Sequence, residues 1–498
     1  MKILKKIIIL LIFLFYILYR IKPIITQDLV YTYDQGRDFL KVAEIFLYKN
    51  PTFIGPTTGI MGIYHGAWWY YILGIPFLLF KANPASFYFF NFIIQTITFV
   101  FMFLIIKKFL GFFLSFLFLT LITFSDYFIS QSSSFVGNTV MILPTLAFFL
   151  INLFLLLEKK SKNYSVILFT IGILLGFLFE FEFGFGFFLI PSYILGIFIF
   201  KEIKKYHLVK KNLLLFLLGL IIPIIPRLLF EIKNNFIQTK VLINYLIKPK
   251  YFNPKPLKDI FIDRINMFIN YYLSLFDNKV LAITFLLFLA TILLLVINKK
   301  INIIYKKSLA FFIYLLLSLF LLSNLYKDNF WSYYYEGIQY LFIFIILLLL
   351  KVDSKIKALE NFKNLIIVFF CLLIIYGKAY KTDLNFKNNQ KTSGLSTRIS
   401  ITNFIISKEK YKKNYCVKIY TPPVIPYTYN YLFFYKQYKE KVNQPKNEWV
   451  NNQCWFIIED DDYKKRQELW VKNNIPFNKK VLIKKYFYRT KVILVKKQ

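Results

Sequence analysis

Long apolar runs recur along this chain and leave it few architectures. They lie at 5–23, 68–82, 87–106, 110–125, 139–157, 164–181, 184–200, 212–230, 279–297, 308–325, 337–351 and 364–378. Each is near the ~20 residues a helix needs to cross a hydrocarbon layer of roughly 30 Å. Composition agrees, with 57% hydrophobic and only 18% charged residues and a mean hydropathy of +0.53. A soluble domain has roughly 45–50% apolar and about 25% charged residues. The 60 Phe and 37 Tyr exclude a disordered chain, and 17 Gly with 3 Cys exclude collagen-like and disulfide-scaffold folds. The expected fold class is an all-α polytopic membrane protein of about 11–12 hydrophobic helices with a small C-terminal α/β domain.

The formal charge of +37 does not point to nucleic acid. Only seven of the 63 basic residues are Arg, at 20, 37, 227, 264, 398, 466 and 489. Much of the Lys excess lies in short clusters beside apolar runs, where positive charge sets helix direction. Lys2, Lys5 and Lys6 place the N-terminus in the cytoplasm and loop 24–66 outside. The first run lacks a cleavage site of small residues and reads as a retained anchor. Lys-rich turns at 158–162, 201–211, 299–307 and 351–363 are expected inside, as are Lys107 and Lys108. The two ends then disagree in parity unless one run fails to cross. Run 68–82 is the shortest and carries Gly74 and Pro76, so 11 crossings are expected, with 68–82 re-entrant.

Two domains follow: a transmembrane catalytic domain over 1–378 and a soluble extracytoplasmic α/β domain over 379–498. The tail has strand-like runs at 415–420, 454–458 and 480–484 and helix-like stretches at 398–413 and 461–473. Cys416 and Cys454 fall on predicted strands, either as a disulfide or as two buried thiols.

The first outer loop carries the chemistry. Residues 31–48, YTYDQGRDFLKVAEIFLY, place Asp34, Arg37 and Asp38 just outside the first span and continue as an amphipathic interfacial helix. Asp34 is a candidate N-cap of that helix. Residues 55–70, GPTTGIMGIYHGAWWY, are rich in glycine and aromatics and too irregular for a plain connector. An ionised carboxylate can take a proton from an acceptor hydroxyl, and cations can hold a departing phosphate.

Asp34-Gln35-Gly36-Arg37-Asp38 after the first span resembles the opening of the GT-C membrane glycosyltransferases. So does Gly55-Pro56 through His65-Gly66 to Tyr70-Tyr71. The similarity is nearest to family 39 protein mannosyltransferases, aminoarabinose transferases and the bacterial enzymes grouped with them. SSSFVGNTVMILP at 132–144 and PRLLFEIKNNFIQTK at 226–240 resemble further segments of that group. The likeness covers most of 1–350 in layout and is specific near 31–70. It implies transfer of a sugar from a polyprenyl-phosphate donor to a cell-envelope acceptor on the outer face of the inner (plasma) membrane, with inversion. It also implies Asp34 as general base, with Asp38 as its rival. Many relatives have Asp-Glu where this chain has Asp34-Gln35, which weakens a metal pair and leaves the single base. No cofactor is expected; a divalent ion is compatible but not required.

Arg37, Arg227 and Lys233 are the candidates to bind the donor phosphate, although Arg227 could instead pair with Glu231, and Arg37 with Asp34 or Asp38. His65, Trp68, Tyr70, Asn138, Glu180 and Glu182 are candidate substrate-lining residues. Glu180 and Glu182 could equally just reach the headgroups. Asp126 could line an acceptor site, 326–340 a lipid groove, and His207 is expected in solvent. A transporter or flippase would need ionisable residues at mid-membrane and internal repeats, and the sequence has neither. A polymerase or ligase of the O-antigen type remains a weaker alternative, kept open by loop 231–278.

Overall fold

Among the described residues, eight helices are long and apolar enough to cross a membrane: Ile3–Thr26, Pro84–Leu110, Asn138–Leu157, Tyr164–Phe181, Lys210–Lys233, Lys279–Ile297, Lys306–Ser323 and Lys357–Tyr380. Two bent pairs, Phe112–Phe124 with Asp126–Ser134 (64°) and Phe183–Ile199 with Lys201–His207 (98°), bring the number to ten if each is one broken span. These elements belong to a computed structural model that describes residues 2–161, 163–248, 254–298, 301–353, 357–381, 394–409 and 414–498. Lys162, Lys299, Lys300 and Lys355 of the predicted turns lie outside the described residues, as do 410–413 of the predicted tail helix. Helix Lys210–Lys233 exposes Leu213, Leu214, Leu217, Leu218, Ile221, Ile222, Ile225, Leu228 and Leu229. An apolar face of that extent is untenable in water and natural against lipid, and the chain is an integral membrane protein.

Contacts between loops sort them into two ends. At one end the Val30 N–H donates to Ser134 O (2.9 Å) and the Gly337 N–H to the Tyr127 hydroxyl (2.9 Å). Asn138 donates to Phe181 O there (2.6 Å), and Arg227 to Tyr64 O (2.8 Å). At the other end the Ser308 N–H donates to Glu158 (3.0 Å), Lys351 to Leu110 O (3.2 Å) and the Tyr305 hydroxyl to Phe109 O (3.2 Å). The lysine-rich turns therefore gather opposite the first loop.

Helix Trp68–Leu79 begins beside that loop, and just beyond its end Ala82 O accepts from the Tyr431 hydroxyl (2.7 Å) on the same face. Its 12 residues span only ~18 Å, so it turns back without crossing. Gln339–Leu350 is equally short. It lies between Gly337 at one end and Lys351 at the other, within the bundle where irregular backbone is tolerated. Counted together with the two bent pairs as spans, it would bring the candidate crossings to 11, the number expected from the lysine pattern.

Helices Tyr164–Phe181 and Lys210–Lys233 meet at glycines. A Cβ on Gly172 would stand 2.3 Å from Phe216 O, and one on Gly219 2.3 Å from Phe169 O. Small residues let two helix backbones close together in lipid. That closeness brings Arg227 of one helix to Glu180 of the other.

The tail forms a four-stranded sheet in the order Val417–Tyr420, Gln453–Ile458, Thr490–Lys497, Lys479–Phe487. The first pair is parallel and the rest antiparallel. Helices Leu395–Glu409, Tyr427–Glu440 and Lys464–Asn474 accompany it. The helix Tyr427–Glu440 and the strand Thr490–Lys497 were not among the expected elements. Cys416 and Cys454 are joined by a disulfide. The unit is moored to the first loop: the Leu395 N–H donates to Leu29 O (3.0 Å) and the Tyr31 hydroxyl to Thr428 O (3.0 Å).

Candidate active site

Helix Tyr33–Leu47 starts the site. Its N-cap is Thr32 rather than the expected Asp34. The Gln35 side chain accepts from the Thr32 N–H (2.8 Å) and hydroxyl (2.7 Å) and donates to Val136 O (2.7 Å). Gln35 thus closes a capping box and ties the helix to the 135–138 loop. Asp34, freed from capping, is 61% exposed and holds Arg37 Nη1 at 2.9 Å.

Asp38 lies one turn further on and is buried. Its Oδ1 accepts from Arg37 Nε (2.9 Å) and Nη2 (2.8 Å), and its Oδ2 accepts from Trp69 Nε1 (2.8 Å). Burial pushes the Asp38 carboxyl above its ordinary value, against the pull of Arg37 and Trp69. Burial works against Arg37, but the carboxylates of Asp38 and Asp34 hold it above its ordinary value. Arg37 is thus occupied by two carboxylates and stands 5.6 Å over the Tyr33 ring. Together with Tyr70 it lines a cavity of about 600 Å³ between this helix and the tail domain.

The hairpin of Ile54–Thr57 and Tyr64–Gly66 brings in His65. His65 is buried, accepts the Phe183 N–H on Nδ1 (3.3 Å), and has Nε2 3.9 Å from Glu182. Burial, with Arg227 and Arg37 nearby, lowers its pKa to about 3, so it is neutral. The next residue admits no side chain, because a Cβ on Gly66 would stand 2.0 Å from Glu180 Oε2.

Glu180 and Glu182 do not reach outward to headgroups; both are buried. Arg227 Nε donates to Glu180 Oε1 (2.7 Å), and its Nη1 donates to Tyr64 O (2.8 Å) and Gln238 Oε1 (3.2 Å). Glu231, the alternative partner considered for Arg227, instead caps the next helix. It accepts from the Gln238 N–H (3.1 Å), the Thr239 N–H (2.9 Å) and the Thr239 hydroxyl (2.7 Å). Arg227 Nη2 and Glu182 Oε2 are buried and have no hydrogen-bond partner among the described residues. Burial holds the Glu182 carboxyl well above its ordinary range.

Lys233 is exposed at the end of helix Lys210–Lys233. Trp68 donates to Pro223 O (2.6 Å) and packs against Phe177, a helix-packing role. Asn138 ties its loop to Phe181 O. Asp126 pairs with Lys378, joining its loop to the last span. His207, expected in solvent, is buried against the Tyr193 hydroxyl (3.3 Å) and Ile203 O (3.0 Å). Among the described residues no three His, Cys, Asp or Glu side chains stand together as a metal set.

A second cavity, about 340 Å³, has Glu182 in its wall and is otherwise largely apolar: Phe183, Phe187, Phe188, Leu242, Leu246 and Leu325. The cluster as a whole puts an exposed carboxylate, two arginines and a neutral histidine at one end of the bundle, beside a greasy slot.

The polytopic bundle, its short helix Trp68–Leu79 and its docked α/β tail form a fold that is not peculiar to this chain. Two solved structures share it. ArnT from Cupriavidus metallidurans bound to undecaprenyl phosphate superposes with a TM-score of 0.58, covering 99% of this chain and 97% of that chain at 9% identity. The same protein in the apo state gives 0.56, covering 98% and 97% at 9% identity. The sequence matches no protein-family profile and no curated protein.

Proposed function

We propose that this chain is a membrane glycosyltransferase that moves a sugar from a polyprenyl-phosphate donor to a cell-envelope acceptor. The observation that carries the reading is the fold shared end to end with ArnT, whose structure holds undecaprenyl phosphate. The cluster at one end of the bundle supports it chemically.

Asp34 is the general base. It is exposed and makes one ion pair, leaving a lone-pair face for an acceptor hydroxyl. Asp38 is buried and committed to Arg37 and Trp69, so its role is to position the arginine. The acceptor oxygen attacks the anomeric carbon as Asp34 takes its proton, and the phosphate leaves on the opposite side with inversion. Arg227 holds that phosphate: its Nη2 is a buried donor awaiting a partner, whereas Arg37 is occupied. The slot beside Glu182 suits the prenyl chain. A charged donor held in a water-poor site stabilises developing charge strongly.

The site faces the extracytoplasmic side of the inner membrane. Support comes from the lysine-rich turns at the opposite end and from the disulfide of the tail, which is moored beside Asp34. The decisive experiment replaces Asp34 by Asn and measures transfer from polyprenyl-phosphate sugars in membranes. Turnover at the wild-type level would remove Asp34 from the mechanism.

A further inference from the structure

A further cavity near the cluster has no part in the mechanism above. It encloses about 580 Å³ between helix Leu257–Leu273, the 328–336 loop and the start of helix Gln339–Leu350. Three of its lining residues, Gln131, Glu336 and Gln339, each carry an Oε1 that is buried and has no hydrogen-bond partner among the described residues. Unpaired buried acceptors are costly, at about 1–3 kcal/mol each. Three around one cavity mark a place built to receive donors.

The cations at the cavity are already engaged. Lys255 pairs with Asp263 (2.5 Å). Arg264 donates to Ser323 O (3.3 Å) and Tyr326 O (3.1 Å) and lies 4.2 Å over the Phe330 ring. Asp263, Asp328 and Glu336 all line the same space, so an anion would meet carboxylates. Burial raises the Glu336 carboxyl to about 7, which lets it accept or donate near neutrality. Trp331 lines the wall, is 53% exposed, and lies nearly parallel to Tyr333 with centroids 6.2 Å apart. Phe330 lines both this cavity and the slot beside Glu182, which places the cavity next to the catalytic cluster.

We propose that this cavity is a saccharide subsite. It holds a neutral, hydroxyl-rich sugar ring whose hydroxyls donate to Gln131, Glu336 and Gln339 and whose apolar face stacks on Trp331. The subsite keeps the sugar that is to be glycosylated apart from the arginines that hold phosphate. This deepens the transferase reading and rests on it for its biological meaning, but binding is read without turnover.

The test is saturation-transfer NMR on the full chain in detergent with methyl glucoside, methyl galactoside and methyl mannoside. Ring protons of at least one glycoside are expected to receive saturation. The Glu336→Leu/Gln339→Leu double variant should weaken binding roughly tenfold or more, through two lost hydrogen bonds. Glu336→Gln, which keeps an oxygen acceptor, should weaken it less. Should the double variant fail to fold, Trp331→Ala decides, because that side chain is half exposed and its loss removes only the stacking face. Absence of saturation transfer to all three glycosides overturns the subsite, as does binding that survives the double variant or Trp331→Ala unchanged. If sugar binds here but Asp34→Asn still transfers, the Asp34 mechanism fails and the subsite stands. If Asp34→Asn is dead and the cavity binds nothing, the reverse holds.

Discussion

Replacing Arg227 by Leu should destabilise the protein far more than replacing Arg227 and Glu180 together. Arg227 Nε lies 2.7 Å from Glu180 Oε1, and both side chains are buried, at 9% and 0% exposure. Their attraction is roughly 6 kcal/mol at an effective dielectric constant of about 20. Desolvation of both ions offsets much of it, so the intact pair adds little net stability. Breaking it is another matter. Arg227→Leu strands a carboxylate that no water reaches, which costs about 3–5 kcal/mol. Arg227→Leu/Glu180→Leu removes the stranded charge and fills the space with apolar groups. It still deprives Tyr64 O and Gln238 Oε1 of a donor, a loss of about 1 kcal/mol each. The single variant loses the same two bonds, so the double variant should recover roughly 3–5 kcal/mol relative to it. The assay is thermal unfolding in detergent at one scan rate, followed by tryptophan fluorescence. A double variant that melts with or below Arg227→Leu would refute the reasoning. Both variants should lose transfer, since the proposed phosphate donor is gone in each.

Other tests address separate links. Asp38→Asn frees Arg37 from its buried anchor and should lower transfer about 10–100-fold, the loss of a charge-assisted bond of about 1.5–3 kcal/mol, without lowering acceptor affinity; steady-state kinetics separate the two. Gly36→Ala would put a Cβ 2.5 Å from Thr428 N and 2.6 Å from Tyr427 C, so it should loosen the tail domain and speed its release by limited proteolysis. Thiol labelling of purified protein should find Cys416 and Cys454 unreactive until reduced; free thiols there would contradict an oxidising location for the tail. The pH dependence has two opposed parts. His65 has a folded pKa of about 3, below its usual 6.5, so its contribution is present above pH ~6.5 and is lost as pH falls toward ~3. Glu336 is raised from 4.5 to about 7, so its contribution is present below pH ~4.5 and is lost as pH rises through ~7. Between pH ~4.5 and ~6.5 the two slopes oppose each other, so removing either exposes the other: relative to wild type, melting midpoints there should rise with pH in Glu336→Gln and fall with pH in His65→Asn.

Much of the fold was legible because two strong signals coincide. Apolar length marks the spans, and lysine position fixes their alternation. Together they required one run to fail to cross, and the structure makes that run the helix Trp68–Leu79. The tail was read less fully. YTYNYLFFYKQYKE at 427–440 is rich in aromatics that favour strands, yet it forms the helix that seats the domain on Tyr33–Leu47. In the site, local grammar located Asp34, Arg37 and Asp38, but not how they divide the work. Asp34 looked like a cap because Asp often is one. Thr32 with Gln35 three residues later was the capping-box signal that named the true cap. Proximity in sequence offers Arg227 only Glu231 as a possible partner, whereas its ion partner lies 47 residues away on another helix. Pairings of that kind depend on which helices touch, and the glycines that let them touch carry no label for their partner.

The arrangement of charge explains why these groups sit at the bundle's end rather than its middle. An ionised side chain at mid-membrane is expensive, and a transferase has no need to move charge through the bilayer. It needs a carboxylate in contact with water-borne acceptor and a cation within reach of a lipid-borne phosphate. Asp34 is exposed on a helix lying along the boundary, while Arg227 is buried at the last turns of a span whose other face is leucine and isoleucine. In the proposed mechanism the same segment meets lipid on one side and donor phosphate on the other. On this geometry, moving the cation outward by one helical turn, as in Arg227→Leu with Glu231→Arg, should not restore transfer. The new guanidinium would stand ~6 Å further along the axis, beyond hydrogen-bond reach of the Glu180 carboxylate. Recovery of activity in that variant, measured with the same polyprenyl-phosphate assay, would mean that phosphate is held elsewhere.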